Sequence, residues 1–382
     1  MLEVFRRPRL AADLAGRLLQ PGVLDEGLRS GLFFSGLRRT GKTTFLCTDL
    51  VPELEARGAV VIYVDLWSDI KASPAALVQA AVRQTLSQLV NPSSPLLARL
   101  RRIKGLDLGG MGIRFGFQLD QLGEAGGVTL AQAFTEVVDQ SGGDVVLIID
   151  EVQQAITTEE GNQMLLALKA TRDAINPRPD TPGHFLFLGN GSHRALVSEL
   201  TARRNQAFVG ATSLPYPVLD QEYVWYVLER LRGEGMEPLP SEESAWTSFQ
   251  TLGHRPEEFV RALGQLRLST SSGLAPDQLL PVIAATLRGS AADLELLKVE
   301  QLGGLATAIF DRVARSEGPA RGIFSAEAAL SYSEAIGREL RVEEIQPVVN
   351  ELLAANALMR LGHGLYGVSD PFVQEIWRER KR

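Results

Sequence analysis

Short apolar runs alternate with stretches of helical periodicity through the first two-thirds of the chain. Continuous apolar runs predict strands that are buried on both faces, and their alternation with helices is typical of a parallel sheet covered on both sides. The chain is therefore expected to be an α/β protein. Strands are expected at residues 31–35, 59–66, 144–149, 185–188 and 207–210.

Residues 91–130 interrupt this alternation. Proline, glycine and polar residues surround the segment 112–119, in which apolar and polar positions alternate. A period of two predicts a strand with one buried face. We therefore expect a β-hairpin inserted between elements of the sheet.

From about Leu219 onward the pattern is mostly helical. Helices are expected at 220–231, 241–252, 256–266 and 276–287, and then at 301–315, 325–336 and 342–355. The last helix precedes two short strands around a Gly-His-Gly turn. Three helices followed by a hairpin predict a winged helix. Pro347 requires the third helix to start near it or to be kinked.

Composition and charge narrow the class of protein. A length of 382 residues suits two or three domains, and a formal net charge of −7 does not favour a polyanionic partner. With one cysteine (Cys47) and four scattered histidines, neither an internal disulfide nor a structural metal is expected. No apolar stretch reaches membrane-spanning length and no secretory signal pattern opens the chain, so we expect a cytoplasmic protein.

The segment 36–43 carries the most specific chemistry. It fits the pattern G-x-x-x-x-G-K-[ST] and lies between a predicted strand and a predicted helix, as a phosphate-binding loop requires. Its glycines permit a tight path that points backbone N–H groups at phosphate oxygens, at the positive end of a helix. In this pattern the lysine reaches the β- and γ-phosphates and the last hydroxyl binds Mg²⁺. The residues expected to bind nucleotide here are Gly36, Leu37, Arg38, Arg39, Thr40, Gly41, Lys42, Thr43 and Thr44.

Asp150 and Glu151 follow the most apolar predicted strand. In a nucleotide-hydrolysing site, a carboxylate at such a strand end holds Mg²⁺ through water, together with Thr43. The next acid can orient and deprotonate the attacking water. We expect Asp150 to be the metal ligand and Glu151 the base. The alternative is that the two acids cap a helix that starts at Val152.

The order of these motifs resembles a known group. The loop, the strand ending in Asp-Glu-x-Gln, the strand ending in Gly-Asn and the helical region that follows are similar to the AAA+/STAND group of P-loop ATPases. Within it they resemble the prokaryotic and archaeal branch near the origin-recognition proteins. The resemblance covers nearly the whole chain. It implies a P-loop ATPase core at 1–216 with an insertion at about 91–130, a helical lid at 217–290 and a winged-helix domain at 291–382.

The resemblance also implies roles for further residues. Asn190 occupies the position of the sensor-1 polar residue, which helps to hold the attacking water; alternatively, it is a turn-forming asparagine. Arg203 and Arg204 lie where such ATPases place an arginine finger, although a cation at the end of a helix is also ordinary surface chemistry. Arg255 resembles sensor 2, so we expect it to contact the γ-phosphate and close the lid. Residues 5–7 resemble the segment that packs around adenine.

The function implied is that of an ATP-hydrolysing switch or remodeller acting on a macromolecular partner. ATP is expected rather than GTP, because the Asn-Lys-x-Asp motif that reads guanine is absent. Mg²⁺ is the second expected cofactor, held by Thr43 and Asp150. A small-molecule kinase fits less well, since the Asp-Glu pair suits water as the acceptor. We expect a homo-oligomer with an unidentified protein partner. The alternatives are a slow-turnover signalling module of STAND type and a DNA-binding ATPase adaptor.

Charge argues against strong DNA binding by the last domain. Residues 291–382 contain 14 acidic and 11 basic residues, and the third helix carries Glu343, Glu344 and Glu351. A DNA reader needs a basic stripe to neutralise phosphates. Lysine and arginine are clustered instead at 99–104 and 378–382. We therefore expect only weak nucleic-acid binding, confined to those two clusters.

Overall fold

The computed structural model describes residues 4–380, except 70, 106–110, 119–121, 123–125, 203–205, 270–273 and 363. The chain forms two compact units. The first, which we call the sheet unit, consists of Arg6–Gly36 and Lys42–Tyr216. The second, the helical unit, consists of Met1–Phe5, Leu37–Gly41 and Pro217–Arg382.

The sheet unit is built on five parallel strands in the spatial order β2-β3-β4-β1-β5. Every residue of β3 is buried, which matches its continuous apolar sequence. The predicted α/β class with a parallel sheet is confirmed. The strands are β1 (Leu32–Ser35), β2 (Val60–Asp65), β3 (Val145–Asp150), β4 (Phe185–Gly191) and β5 (Thr212–Pro215).

Eight α-helices accompany these strands in the described part of the sheet unit. Hydroxyl side chains of Ser73, Ser94, Thr129 and Thr158 accept backbone N–H groups at the starts of α4 to α7. A π turn at Leu46–Leu50 joins α2 to α3. The helices are α1 (Pro8–Leu19), α2 (Lys42–Phe45), α3 (Val51–Ala56), α4 (Pro74–Val90), α5 (Pro95–Lys104), α6 (Leu130–Ser141), α7 (Glu159–Ile175) and α8 (Arg194–Ala202).

The two faces of the sheet are covered by separate apolar clusters. Alternate residues of β3 divide between them: Val145, Leu147 and Ile149 belong to one cluster, and Val146 and Ile148 to the other. The first cluster includes side chains of α4 to α7, and the second those of α1, α2 and α3. This arrangement leaves the carboxyl ends of the strands to carry polar side chains.

Two predictions for this unit are wrong. The segment 206–210 forms turns, and the fifth strand lies a few residues later, at Thr212–Pro215. Phe208 is apolar because its ring stacks on Phe187 in the core, with 4.3 Å between centroids. The predicted hairpin is also absent from the described residues 111–118. Its alternating residues Ile113, Phe115 and Phe117 pack against the core without a partner strand.

The described part of the helical unit contains eight further helices and a two-stranded antiparallel sheet. Pro281 is the sixth residue of α12 and Pro347 the sixth residue of α15, and both helices continue past them. The helices are α9 (Gln221–Gly233), α10 (Glu242–Thr251), α11 (Pro256–Leu268), α12 (Pro276–Gln301), α13 (Gly304–Arg315), α14 (Ala326–Ile336), α15 (Val342–Ala354) and α16 (Pro371–Arg380). The strands are β6 (Leu358–Gly362) and β7 (Leu365–Val368).

Helix α12 has 26 residues and is the longest described helix. The predicted boundary between lid and winged helix, at 290/291, falls inside it. Beyond α12, the order α13, α14, α15, β6, β7 agrees with the element order expected of a winged helix. The winged-helix interpretation stays a prediction. Among the described helices, none combines the length and apolar character that crossing a membrane requires.

Candidate active site

Two residues of the predicted phosphate loop lie in the left-handed region of backbone conformation. Gly41 has φ 87°, and Arg39 also lies in the left-handed region, with φ 65°. A non-glycine residue in that region is strained, which is common at functional sites. At the start of α2, the buried Lys42 turns towards the loop, and its Nζ donates to the carbonyl oxygen of Gly36 at 3.1 Å.

Asp150 is the centre of a converging hydrogen-bond network at the ends of the strands. Its Oδ2 accepts from the Thr43 hydroxyl at 2.6 Å and from the Tyr63 hydroxyl at 2.9 Å. Its Oδ1 accepts from the backbone N–H of Glu151 at 2.9 Å and from Nδ2 of Asn190. The parallel register places Asp150 opposite Asn190. The structure thus brings together Thr43, Asp150 and Asn190, which lie far apart in the sequence.

Tyr63 was not among the residues singled out from the sequence. Burial, followed by the charge of Asp150, raises the pKa of the Tyr63 phenol, so it remains a protonated donor. Partial burial also raises the pKa of the Cys47 thiol, which disfavours a thiolate nucleophile. One signal in the sequence points to Tyr63. It lies two residues before Asp65, so the two side chains share one face of β2, and Asp65 lies opposite Asp150.

The Glu151 carboxylate is held in place by two donors. Its Oε2 accepts from the Ser192 hydroxyl at 2.7 Å and from Nε2 of Gln153. Glu151 has φ 53°, another left-handed non-glycine residue. It precedes the 3₁₀ helix Val152–Thr157, but its side chain makes no capping hydrogen bond there. The capping alternative is therefore wrong for Glu151.

The oxygen atoms at this edge suit a hard cation and water. Asn190 is buried, and its Oδ1 has no hydrogen-bond partner in the described part of the chain. A buried acceptor without a partner costs free energy unless a ligand or water satisfies it. Hydroxyl, carboxylate and amide oxygens are the donor set that Mg²⁺ prefers. The residues present therefore fit the expected metal and its water.

Two further predicted residues, Arg255 and Arg39, belong to the helical unit. Within the helical unit, Arg255 precedes α11 and its Nη2 donates to Oδ2 of Asp370 at 2.6 Å. In the same unit, Nη1 of Arg39 pairs with the buried Glu258 at 3.1 Å. The predicted arginine-finger residues, Arg203 and Arg204, lie outside the described residues.

Residues 5–7, expected near adenine, divide between the two units. In the helical unit, Phe5 packs on Tyr223 and Tyr226, with ring centroids 5.5 and 5.3 Å away. In the sheet unit, the Arg7 guanidinium lies 5.8 Å from the ring centre of Phe45 and 5.7 Å from that of Tyr216. The rings of Phe45, Tyr216 and Tyr223 are buried, so the role of residues 5–7 near adenine stays a prediction.

Some arginines of the two basic clusters, at 99–104 and 378–382, already pair with other groups of the protein. Arg99 pairs with Glu55 at 2.7 Å, and Nε of Arg378 donates to the carbonyl oxygen of Ala314 at 2.6 Å. Arg380 pairs with Asp293. These three guanidinium groups have protein partners, so less of each cluster is available to phosphates than the sequence suggests.

The fold is similar to that of solved nucleotide-binding proteins. A Walker-type ATPase of Pyrococcus abyssi superposes with a TM-score of 0.58 at 15% identity, over 98% of this chain and 96% of that one. The ADP form of the Aeropyrum pernix ORC2 protein gives 0.56 at 14% identity, over 100% and 96%. No family model and no curated protein matches the sequence.

At these identities the likeness shows the fold. The motif order predicted a P-loop ATPase of the branch near the origin-recognition proteins, and the fold comparison confirms that resemblance. The chain has the fold of the Walker-type ATPases and of the archaeal ORC proteins.

Proposed function

We propose that this chain is a Mg²⁺-dependent ATPase of AAA+/STAND type that switches or remodels a macromolecular partner. The observation that carries the proposal is the network at Asp150. A phosphate loop, a strand-end carboxylate, an adjacent acid and a polar residue of the next strand supply the groups that phosphoryl transfer to water requires. The fold likeness to ATPases supports the same conclusion.

Each group has a defined task in this proposal. Lys42 and the loop N–H groups bind the phosphates, and Thr43 and Asp150 hold Mg²⁺. When bound, Mg²⁺ neutralises charge on the phosphate oxygens. Glu151, held by Ser192 and Gln153, accepts a proton from the attacking water. The free Oδ1 of Asn190 accepts a hydrogen bond from that water.

The dependence of the ATPase rate on protein concentration distinguishes a remodeller from a slow signalling module. We expect the ATPase rate per chain to rise at least ~10-fold as assembly proceeds, because an arginine from a neighbour completes such sites. Steady-state rates should be measured across a wide range of protein concentrations. Replacing Arg203 and Arg204 together with alanine should abolish the rise and leave ATP binding unchanged. A slow rate that is independent of concentration would favour the signalling module.

Arg255 and Asp370 offer a test of nucleotide sensing. We propose that Arg255 exchanges Asp370 for the γ-phosphate, so that Asp370 competes with ATP for the guanidinium. Arg255→Ala should lower the ratio of ATP affinity to ADP affinity about tenfold, the scale of a charged hydrogen bond. Asp370→Asn should raise that ratio. Asparagine can still accept from the N–H of Phe372 at the start of α16, so helix capping is retained.

The ratio can be measured with fluorescent ATP and ADP analogues at equilibrium. Glu375→Gln is the matched control, because it removes a different ion pair of this region, that of Glu375 on α16 with Arg288 on α12. If Glu375→Gln changes the ratio as Asp370→Asn does, general loosening of α16 explains the result. An unchanged ratio in Arg255→Ala would contradict the sensing role.

A further inference from the structure

A concave pocket lies in the helical unit between α13, α14 and the loop that joins them. Its volume is about 450 Å³, within the range of small-molecule sites. Small side chains such as Ala308, Ala335 and Ser331 form part of its wall. Three arginines are among its lining residues, Arg312, Arg315 and Arg321. None of these residues has a role in the proposed nucleotide site.

The pocket carries an excess of positive charge. Asp311 is its one acidic lining residue, and its carboxylate is already engaged, by Nε of Arg315 at 2.9 Å and by the indole N–H of Trp377 at 2.8 Å. Burial raises the pKa of Tyr332 to about 12, against the opposing effect of Arg312, so this lining residue stays neutral. Asp311 compensates Arg315, and no other carboxylate in the described part of the helical unit lines the pocket to compensate Arg312 and Arg321.

Arg312 and Arg321 keep most of their donors available. The nearest carboxylate to Arg312 is that of Glu327, 3.8 Å away on a side chain that is 87% exposed, and such pairs contribute little. Arg321 is exposed, and among the described residues no hydrogen bond or ion pair is found for its guanidinium. Arg312 is partly buried and Arg315 and Arg321 are exposed, so an anion that enters the pocket would meet cationic side chains from α13 and from the loop.

We propose that this pocket binds a small phosphate-bearing anion. The planar guanidinium fork matches phosphate oxygens in bidentate geometry, which a single lysine cannot do. Duplex DNA is disfavoured as the occupant, because α15 of the same region exposes Glu343 and Glu351. A recessed site also suits a compact anion better than a duplex backbone. The proposal is independent of ATP binding at the phosphate loop.

Isothermal titration with inorganic pyrophosphate tests the proposal. The full chain carrying Lys42→Ala serves as the background, so that binding at the phosphate loop does not contribute. We expect one pyrophosphate per chain. Arg312→Gln and Arg321→Gln should each weaken binding at least ~10-fold, the loss expected for a charge-assisted bidentate contact. Each variant should retain the melting temperature of its parent.

Arg338→Gln is the matched control, because Arg338 lies beyond the end of α14 and pairs with Glu344 rather than lining the pocket. Its pyrophosphate affinity should equal that of the parent. Equal weakening in all three variants would show diffuse charge attraction and overturn the proposal. So would binding that is lost in the Lys42→Ala background. Duplex DNA binding that depends on Arg312, without pyrophosphate binding, would overturn it in favour of a nucleic-acid contact.

Discussion

Glu151→Gln is expected to retain ATP binding and to lose at least ~10²-fold in the rate of hydrolysis, the scale of a removed general base. Glutamine keeps the size and polarity of the side chain, and it can still contact Ser192 and Gln153, which hold the carboxylate. It cannot accept a proton from water. The chemical step should therefore slow while the nucleotide-bound state persists.

The measurement is single-turnover hydrolysis at saturating protein, which separates the chemical step from binding and product release. Ser192→Ala is an informative companion: it leaves the carboxylate in place but removes one of its two side-chain donors, so we expect a smaller loss. A Glu151→Gln variant that hydrolyses ATP at the normal rate, with a lower melting temperature, would show that Glu151 has a structural role only.

Lys42→Ala is expected to abolish the stabilisation that Mg²⁺-ATP gives to the intact chain. A ligand that binds only the folded state adds about 2.7 kcal/mol to the free energy of unfolding at 100 times its dissociation constant. Removing the ammonium group eliminates the main cationic partner of the β- and γ-phosphates. The shift in melting temperature with ATP should fall to nearly zero.

The variant also loses the hydrogen bond from Nζ to Gly36, so its melting temperature without ATP should fall slightly. For that reason the quantity to compare is the ATP-induced shift within each variant. Lys169→Ala, which removes a half-exposed lysine on α7, serves as the control and should keep the full shift. An equal shift in Lys42→Ala and the intact chain would contradict the nucleotide site.

Local sequence signals were sufficient for the central strands of the sheet. The strand β3 is apolar at five consecutive positions, so no other element explains it as well. The fifth strand escaped prediction because its sequence, Thr-Ser-Leu-Pro, is weakly apolar, whereas the preceding Phe208 is buried by ring packing. In β3 the buried apolar residues form the strand, whereas Phe208 is buried in a segment that forms turns.

The site was only partly predictable for a related reason. Thr43, Asp150 and Asn190 each stand in a recognisable local pattern. Tyr63 contributes through the register of β2, and Ser192 through the direction of its side chain just after β4; single-sequence patterns specify neither. The Arg255–Asp370 pair joins residues 115 positions apart, and neither position signals the other.

The uninterrupted course of α12 has a mechanical consequence. Helices α10 and α11 pack along it, and so do α13 and α16. The part after Pro281 spans about 30 Å at 1.5 Å per residue. If the helix tilts as a stiff rod, a rotation of 10° at one end displaces the other by about 5 Å. A movement of α11, which begins next to Arg255, would then displace α13 and its arginine-lined pocket at the other end of α12.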